Sequence, residues 1–299
     1  MSLLERAIKA GQFAVTTELT PPKGTDLSEL FAKAAALKDH VQAINLTESH
    51  RARMSMEPKA VGRLLLERGI EPLIQVTARD RNRLAIQADL LGAAALGLEN
   101  LVFMGGDSPQ GGDHPDAKPV FDLTAAAMVR AAAGLRGGHD MAGNELKGVP
   151  HFFIGAVANP AAPNFAAEVT NTQRKLAAGA QFLQTQAIYD PALLARFLDA
   201  VEPDGVAILA GIIPLKSVKM ARWLHGNVPG IVVTEQLFAE LEATPPGEEI
   251  SKGIEIAGRL IAALRPYCAG VHVMALGWEE HIVAMLQAGA GVRRSADGR

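Results

Sequence analysis

Short runs of apolar and β-branched residues alternate with segments of helical periodicity along almost the whole chain. Each run ends in glycine, proline or polar residues, which is typical of a strand buried in a parallel sheet. The runs lie at residues 13–19, 41–46, 73–77, 100–104, 152–157, 181–188, 207–213 and 271–276. Eight strands alternating with helices over about 280 residues predict an α/β fold, a single (β/α)8 TIM barrel with extra C-terminal helices.

An open doubly wound sheet is the alternative architecture. The sequence carries no Gly-x-Gly-x-x-Gly after the first strand and no P-loop pattern, so the closed barrel is favoured. No shift in composition divides the chain, and we therefore expect one barrel domain over residues 1–299. Residues 292–299 are polar and are expected to be a frayed tail.

Two aspartates are expected to cap helices, Asp26 after the first strand and Asp80 after the third. Pro58 is expected in the first turn of the helix after the second strand. The helix after Asp80 is expected to bury one apolar face, made of Leu84, Ala88, Leu91 and Ala95.

Composition excludes several classes of function. The net charge of −3 does not favour nucleic acid or an anionic membrane as a partner. The single cysteine, Cys268, excludes an intrachain disulfide and a self-contained cysteine cluster, and no His/Asp/Glu spacing predicts a metal site. No leader opens the chain and no apolar run is long enough for a membrane span, so we expect a cytoplasmic protein.

The carboxyl ends of barrel strands meet at one mouth, where such proteins hold ligands. The run from Asn100 to Asp107 ends in Gly105 and Gly106, which allow close approach to the backbone, and then in a carboxylate. Asp107 either serves a ligand or caps the next segment, and the same alternatives hold for each polar strand end. The other candidates are Glu18, Thr47, Glu48, Gln75, Thr77, Asn159, Gln184, Gln186 and Trp278.

Several segments in order along the chain resemble one family, methylenetetrahydrofolate reductase. They are Thr17–Pro22, Gly106-Asp107, Asn171 with Arg174-Lys175, Gln184-Thr185-Gln186 and Gly211–Pro214. The segments 79–83, 155–160 and 277–280 are similar to a divergent branch found in anaerobes and acetogens. The resemblance covers nearly the whole chain, so it is more specific than any one motif.

The resemblance implies a flavin-dependent reduction of 5,10-methylenetetrahydrofolate to 5-methyltetrahydrofolate. Glu18 matches the general acid that protonates N10, a role for which its pKa is expected to be raised by burial. Asp107 matches the aspartate beside the flavin and the pterin, and Gln186 matches a glutamine that contacts substrate. The cofactor is expected to be FAD, with FMN as the alternative. The positions implied for it are Thr47, Gln75, Gly106, Asp107, Asn159, Glu168, Asn171 and Lys175.

Lys175 is the expected partner of a flavin phosphate, with an ordinary solvated helix residue as the alternative. Glu168 stands where the family usually has the shorter aspartate. Two positions expected to meet substrate also depart from the family: Val218 replaces an aromatic residue and Trp278 replaces an arginine that pairs with the folate glutamate.

These departures leave three interpretations of the activity. The chain is an autonomous reductase using NAD(P)H, a catalytic subunit that takes electrons from a partner redox protein, or a folate- or flavin-binding barrel without reductase activity. A homo- or hetero-oligomer is expected. The basic residues Arg79, Arg81 and Arg83 either meet phosphates or a polyglutamate tail, or form a solvated helix start. Among the histidines, His114 lies in a loop near the mouth, and His272 is expected to be buried and satisfied.

Overall fold

Eight parallel strands form a closed barrel in the computed structural model, which describes residues 1–291. Each strand pairs with the next along the chain, and the last pairs with the first, so the sheet has no free edge. The predicted (β/α)8 barrel is confirmed. The strands are β1 (Ala14–Leu19), β2 (Ala43–Leu46), β3 (Pro72–Thr77), β4 (Asn100–Met104), β5 (Phe153–Ala158), β6 (Phe182–Ala187), β7 (Ala207–Ile212) and β8 (Gly270–Val273).

Helices surround the barrel and bury their apolar faces against the outer side of the strands. They are α1 (Leu3–Lys9), α2 (Ser28–Leu37), α3 (Pro58–Leu66), α4 (Arg83–Ala95), α5 (Ala125–Arg136), α6 (Phe165–Ala177), α7 (Pro191–Val201), α8 (Val218–Asn227), α9 (Glu235–Glu242), α10 (Glu249–Leu264) and α11 (Ile282–Gly291). The expected extra helices are present near the C-terminus, where three helices separate β7 from β8 and α10 packs on α11. The expected frayed tail, residues 292–299, lies outside the described residues.

Side chains inside the barrel form layers, because alternate residues of each strand point inward. The lower layer is apolar and includes Leu4 from α1, which closes the amino-terminal end. Its strand residues are Ala14, Ala43, Leu73, Val102, Phe153, Phe182 and Leu209. Two residues further along their strands, the next layer contains buried polar residues, among them Thr16, Asn45, Gln184 and His272. The interior therefore changes from apolar to polar toward the mouth.

Some helix details differ from expectation. Asp26 accepts a hydrogen bond from the Ser28 backbone N–H, but it lies one residue before the cap position of α2. The cap of α4 is Asn82, not Asp80, because Asp80 forms an ion pair with Arg79. Capping requires a side chain at a defined backbone position, and sequence proximity does not decide which of two polar residues occupies it.

The predicted buried face of α4 is also wrong. Leu84 is 74% exposed and Leu91 is 40% exposed, whereas Ile86, Leu90 and Ala93 are buried. The sequence of α4 carries two apolar stripes, and periodicity alone does not determine which stripe faces the barrel. No helix within residues 1–291 is long and apolar enough to cross a bilayer.

Gly155 packs against the lower layer, and a substitution at this position tests that packing. Its partner in the β5–β6 register is Phe182, which stacks on Phe153 at 4.8 Å between ring centroids. A Cβ at Gly155 would lie 2.1 Å from the Phe182 ring. We expect Gly155→Ala to lower the free energy of unfolding by about 1–3 kcal/mol because the buried ring has little room to move.

Gly92 is the matched control, because a Cβ there meets nothing within 4 Å and the residue lies in the exposed interior of α4. Gly92→Ala should stabilise the protein by roughly 0.5–1 kcal/mol. Urea unfolding followed by circular dichroism measures both changes. Equal stability of the two variants would contradict this account of the lower layer.

Candidate active site at the mouth of the barrel

Glu18 lies near the carboxyl end of β1, and its side chain is 14% exposed. Its Oε2 is 3.7 Å from Nε2 of His272, the residue of β8 in register with Thr16. The Gln75 side chain of β3 also lies near the carboxylate and lowers its pKa. Three strands thus surround one carboxylate with polar groups.

The orientation of His272 is set by hydrogen bonds within its own polar layer. Its Nδ1 is 2.9 Å from Thr16 Oγ1, and that hydroxyl accepts a hydrogen bond from Gln184 Nε2 at 3.2 Å. The Gln184 amide is held in turn by Asn45, which donates to Gln184 Oε1 at 2.8 Å. Since Thr16 already accepts from Gln184, its own proton is available for Nδ1, which favours the tautomer with the proton on Nε2 facing Glu18.

The pKa of Glu18 departs from expectation. Burial, the largest influence, raises the pKa of this carboxyl, but the contact with His272, the electrostatic influence of His272 and His50 and the nearby Gln75 side chain together lower it below its ordinary value. The expectation of a raised pKa is therefore wrong. Sequence reasoning considered burial alone, because the neighbour supplied by β8 is distant along the chain.

Glu18 opens into a cavity of about 380 Å³. The cavity is lined by the end of β1, the segment leading into α2 and the first turns of that helix, His50 after β2, and Leu276, Gly277 and Glu279 after β8. His50 and His272 are the site residues that the sequence interpretation missed. The signal for His272 was its place between two buried valines of β8, at the inward-facing phase of the strand.

Gly106 and Asp107 lie where expected, at the end of β4. Gly106 has φ +88°, and a Cβ there would lie 3.1 Å from Thr77 Cβ and 3.2 Å from Arg79 Cβ. Glycine is thus required by both conformation and space. Asp107 is exposed, and Ser108 rather than Asp107 caps the short helical turn that follows. Its carboxylate remains accessible to a ligand at the mouth.

Four of the expected cofactor residues form one cluster beside β5. Glu168 Oε1 accepts from the Asn159 backbone N–H at 3.1 Å and lies 3.7 Å from Lys175 Nζ, while Glu168 Oε2 accepts from Asn171 at 3.3 Å. Lys175 Nζ also donates to the Val157 carbonyl at 2.8 Å. The lysine is 3% exposed, and its burial lowers its pKa despite the charge of Glu168. It is neither a solvated helix residue nor directed outward.

Three other expected site residues are held by local bonds. Thr47 is buried and its hydroxyl donates to Thr20 Oγ1. Gln186 lies at an irregularity in the β6–β7 pairing, where its side chain accepts from the Ala187 backbone N–H. Gln75 faces Glu18 as described above.

Val218 and Trp278 lie away from the Glu18 cavity. Val218 is the first residue of α8 and packs against the hydrophobic core. Trp278 lies against Gly253 of α10, and Lys216 Nζ is 5.4 Å from the centroid of its ring. Neither residue lines the cavity, although the neighbours of Trp278 do.

The three basic residues after β3 are engaged within the protein. Arg79 pairs with Asp80, Arg83 pairs with Asp122, and Arg81 bridges Glu48 and Asp89. Glu48 also accepts from the backbone and the hydroxyl of Thr77, so it joins the ends of β2 and β3. The solvated interpretation is wrong for Arg79 and Arg81, and no guanidinium of the three is left without a carboxylate.

One His/Glu group of metal-ligand size occurs in residues 1–291, and it lies at the other end of the barrel. Glu5, Glu99 and His151 have ligand atoms within 4.8 Å of one another. The carboxylate of Glu5 is already engaged by Lys9 and His151. These ion pairs account for the group, which takes no part in the mouth.

A model of the family described as methylenetetrahydrofolate reductase matches residues 3–289. The chain belongs to the methylenetetrahydrofolate reductase family. Among known members, a 5,10-methylenetetrahydrofolate reductase of Pectobacterium carotovorum subsp. carotovorum is 26% identical over 250 residues, covering 79% of this chain and 76% of the relative. The resemblance stated from the sequence is thus confirmed at the level of the family.

Solved structures agree on the barrel. An uncharacterized protein from Clostridium thermocellum, described as binding two copies of 5-methyl-5,6,7,8-tetrahydrofolic acid, has a TM-score of 0.57 and 16% identity, with coverage of 96% of this chain and 98% of that protein. An EDTA monooxygenase from Chelativorans sp. BNC1 has a TM-score of 0.54 and 10% identity, with coverage of 93% and 94%. At such identities the likeness concerns the fold alone.

The contact between Glu18 and His272 predicts a measurable titration. We expect His272→Gln to raise the pKa of Glu18, because the variant loses an influence that lowers the pKa and keeps the burial that raises it. Carbon-13 NMR of labelled glutamate carboxyls measures the change, with Glu18→Gln identifying the signal. An unchanged titration of Glu18 would show that His272 does not act on it.

The sign of the linked stability effect follows from the lowered pKa. Ionised Glu18 contributes stability above its ordinary pKa of 4.5, and this contribution is lost as the pH falls through the folded-state pKa. In His272→Gln that contribution becomes smaller, because the variant loses one of the influences that lower the pKa of Glu18.

The internal contacts of Lys175 predict that its substitution lowers stability. Loss of a residue that only contacted a ligand would not change the stability of the cofactor-free protein. Lys175→Met leaves Glu168 without its cation, and we expect the free energy of unfolding of the cofactor-free protein to fall by on the order of 3 kcal/mol. Arg174→Met is the control, since Arg174 is the adjacent, exposed residue of α6 and should change stability by less than about 0.5 kcal/mol. Equal stability of both variants in urea would contradict an internal role for Lys175.

Proposed function

We propose that this protein reduces 5,10-methylenetetrahydrofolate to 5-methyltetrahydrofolate with a bound flavin, FAD or alternatively FMN. Membership of the methylenetetrahydrofolate reductase family supports the substrate class. The bacterial relative bears the name of this activity, and the clostridial structural neighbour is described as binding the methylated folate. The observation that carries the proposal is Glu18, a mostly buried carboxylate that opens into a cavity at the mouth.

The reaction needs a proton before it needs a hydride. Protonation of N10 lets the bond between N10 and the methylene carbon break, and the five-membered ring opens to an iminium at N5. Hydride addition to that carbon completes the methyl group. A bound reduced flavin supplies this hydride in the family's reaction.

Glu18 is the proposed donor of the proton to N10. Glu18 is ionised at neutral pH, because its pKa is lowered. A pterin over the cavity would remove the remaining water from the carboxylate and strengthen the influence of burial, which raises the pKa toward the range of a general acid. His272 and Gln75 hold the carboxyl in place through the transfer.

Asp107 and Gln186 are the proposed polar contacts of the flavin and the pterin. One feature of the described residues fits a flavin beside them. Asn159 Oδ1 is buried without a hydrogen-bond partner. Lys175 does not fit a phosphate contact, since its ammonium group binds β5 and Glu168. We therefore assign the flavin to Gly106, Asp107 and Asn159, with Lys175 as an internal support of β5.

The second candidate function differs in the electron donor. Neither Val218 nor Trp278 lines the Glu18 cavity, so this cavity lacks the aromatic wall on which a nicotinamide would stack. This observation favours a subunit that receives electrons from a partner redox protein over an autonomous NAD(P)H-dependent enzyme. Anaerobic stopped-flow reduction of the bound flavin by NADH and NADPH, with dithionite as the reference, distinguishes the two.

Glu18→Gln tests the proposed function. We expect the variant to keep a flavin that dithionite reduces, and to reduce methylenetetrahydrofolate about 10²–10⁴-fold more slowly, because ring opening needs an acid and flavin reduction does not. Glu29→Gln is the matched control, since Glu29 lines the outer part of the same cavity and is exposed. A rate within a few-fold of wild type for Glu18→Gln would remove Glu18 from this role. A purified protein with no flavin absorbance would overturn the flavin-dependent reaction.

A further inference from the structure

A second cavity adjoins the Glu18 cavity on the side of β2. Its volume is about 580 Å³, and it shares Thr20 and His50 with the first cavity. Its walls come from the loop before α2, the loop between β2 and α3, and the loop after β4. We call it the basic cavity, because Lys23, Arg51 and Arg53 line it.

The charge of the basic cavity is not balanced by its own walls. The single carboxylate that lines it, Asp113, pairs with Lys23 at 2.5 Å and is hydrogen-bonded by the Met54 backbone N–H. Within residues 1–291, Arg51 and Arg53 form no ion pair, in contrast to the three arginines after β3, which all do. The guanidinium carbon of Arg51 lies 5.9 Å from the centroid of the Trp223 ring. Two guanidinium groups are thus available to an anion.

A buried hydroxyl in the same cavity also lacks a partner. Ser55 lines the basic cavity, and its buried Oγ has no hydrogen-bond partner among the described residues. Buried polar groups in folded proteins are almost always paired, and an unpaired one is often completed by a ligand or water. The hydroxyl can donate to an anionic oxygen, as the neighbouring guanidinium groups can.

The loop that carries these groups is strained and locked in place. Ser49, Arg51 and Ala52 have φ values of +43°, +56° and +55°, in the left-handed region that disfavours side chains. A Cβ at Gly112 would lie 1.9 Å from the Ala52 carbonyl oxygen, so the loop after β4 packs directly on this backbone. Strain of this kind persists where the surroundings enforce it, and it accompanies binding sites.

The opposite side of the Glu18 cavity has the opposite charge. Asp26, Glu29 and Glu279 line it there, and its one lysine, Lys33, is paired with both Glu29 and Glu279. This side contains the segment after β8, where Trp278 replaces the arginine expected to hold the folate glutamate. A polyanionic chain leaving Glu18 in this direction would meet carboxylates.

We propose that the basic cavity binds the glutamate tail of the folate, whose carboxylates pair with Arg51 and Arg53 and accept a hydrogen bond from Ser55. The pterin then lies in the Glu18 cavity, and the tail passes Thr20 and His50 instead of crossing β8. This assignment rests on the proposed folate substrate. It also names the preferred form, since each added γ-linked glutamate brings a further carboxylate to the cations.

Comparison of folates with one and three glutamates tests the assignment. We expect wild-type protein at low ionic strength to bind 5-methyltetrahydrofolate triglutamate about tenfold more tightly than the monoglutamate, with the difference falling as salt is added. In the double variant Arg51→Gln, Arg53→Gln the ratio should fall below about threefold, and Ser55→Ala should reduce it in part. Isothermal titration calorimetry measures each affinity, and circular dichroism verifies folding.

The control removes two positive charges elsewhere. Arg130→Gln with Lys147→Gln changes two exposed residues without ion-pair partners among the described residues, and it should leave the ratio unchanged. A double variant at Arg51 and Arg53 that retains the wild-type ratio would overturn the assignment. So would a control pair that loses the ratio equally, because the effect would then reflect net charge.

Further outcomes separate this assignment from its alternatives. Equal affinity of the wild type for both folates would overturn the tail site and leave the proposed reductase intact. No binding of either folate would overturn both. If the Arg51 and Arg53 variant bound both folates normally but bound NADPH or inorganic phosphate more weakly, the cavity would be a phosphate site and the tail assignment would be wrong.

Discussion

The pairing of β8 with β1 is the interaction on which the candidate site depends. It closes the barrel and places His272 in register with Thr16, two residues separated by 256 positions in the chain. The same register brings the imidazole to within 3.7 Å of Glu18. Without closure, the carboxylate at the end of the first strand would have no partner from the eighth. Closure of the barrel therefore determines the electrostatic environment of Glu18.

Closure also explains how a reactive carboxylate is held above a packed core. The lower layer fills the barrel with apolar side chains, including the stacked Phe153 and Phe182. The polar layer above it is joined by hydrogen bonds, in which Gln184 binds Thr16 and Thr16 binds His272. Because buried polar groups are costly unless paired, this layer has few alternative arrangements. Glu18 contacts this layer through His272 and is therefore held in a defined position. A defined position suits a group that must contact one particular atom of a substrate.

The two cavities divide the mouth by charge. The Glu18 cavity has an acidic outer side, and the basic cavity carries two guanidinium groups without carboxylate partners. A folate is polar and nearly neutral at its pterin and anionic at its glutamate, so this division matches the molecule end to end. The arginines after β3 differ from Arg51 and Arg53, because each of them forms an ion pair with a carboxylate of the protein. The densest basic cluster in the sequence, Arg79, Arg81 and Arg83, is therefore not the proposed anion site. The proposed site contains a smaller group, Arg51 and Arg53.

The sequence alone determined the barrel, the family and the residues at the strand ends. Alternation of apolar runs and helical segments is a local property, and parallel strands in a barrel bring their ends to one mouth, so Glu18, Gln75, Gly106 and Asp107 were all located correctly near it. Their roles remain proposals. Local patterns also suggested caps and helix faces, and these failed for Asp80 and α4, where two candidates were equally suited in sequence.

Tertiary structure alone decided which charged groups are available to a ligand and which are paired within the protein. Lys175 is turned inward to β5 because Glu168 and the Val157 carbonyl reach it there. The pKa of Glu18 is lowered because His272 arrives from the other end of the chain. Arg51 and Arg53 remain available because neither forms an ion pair with a carboxylate of residues 1–291. Each of these outcomes depends on distances between residues far apart in sequence, and electrostatic interactions follow those distances rather than positions along the chain.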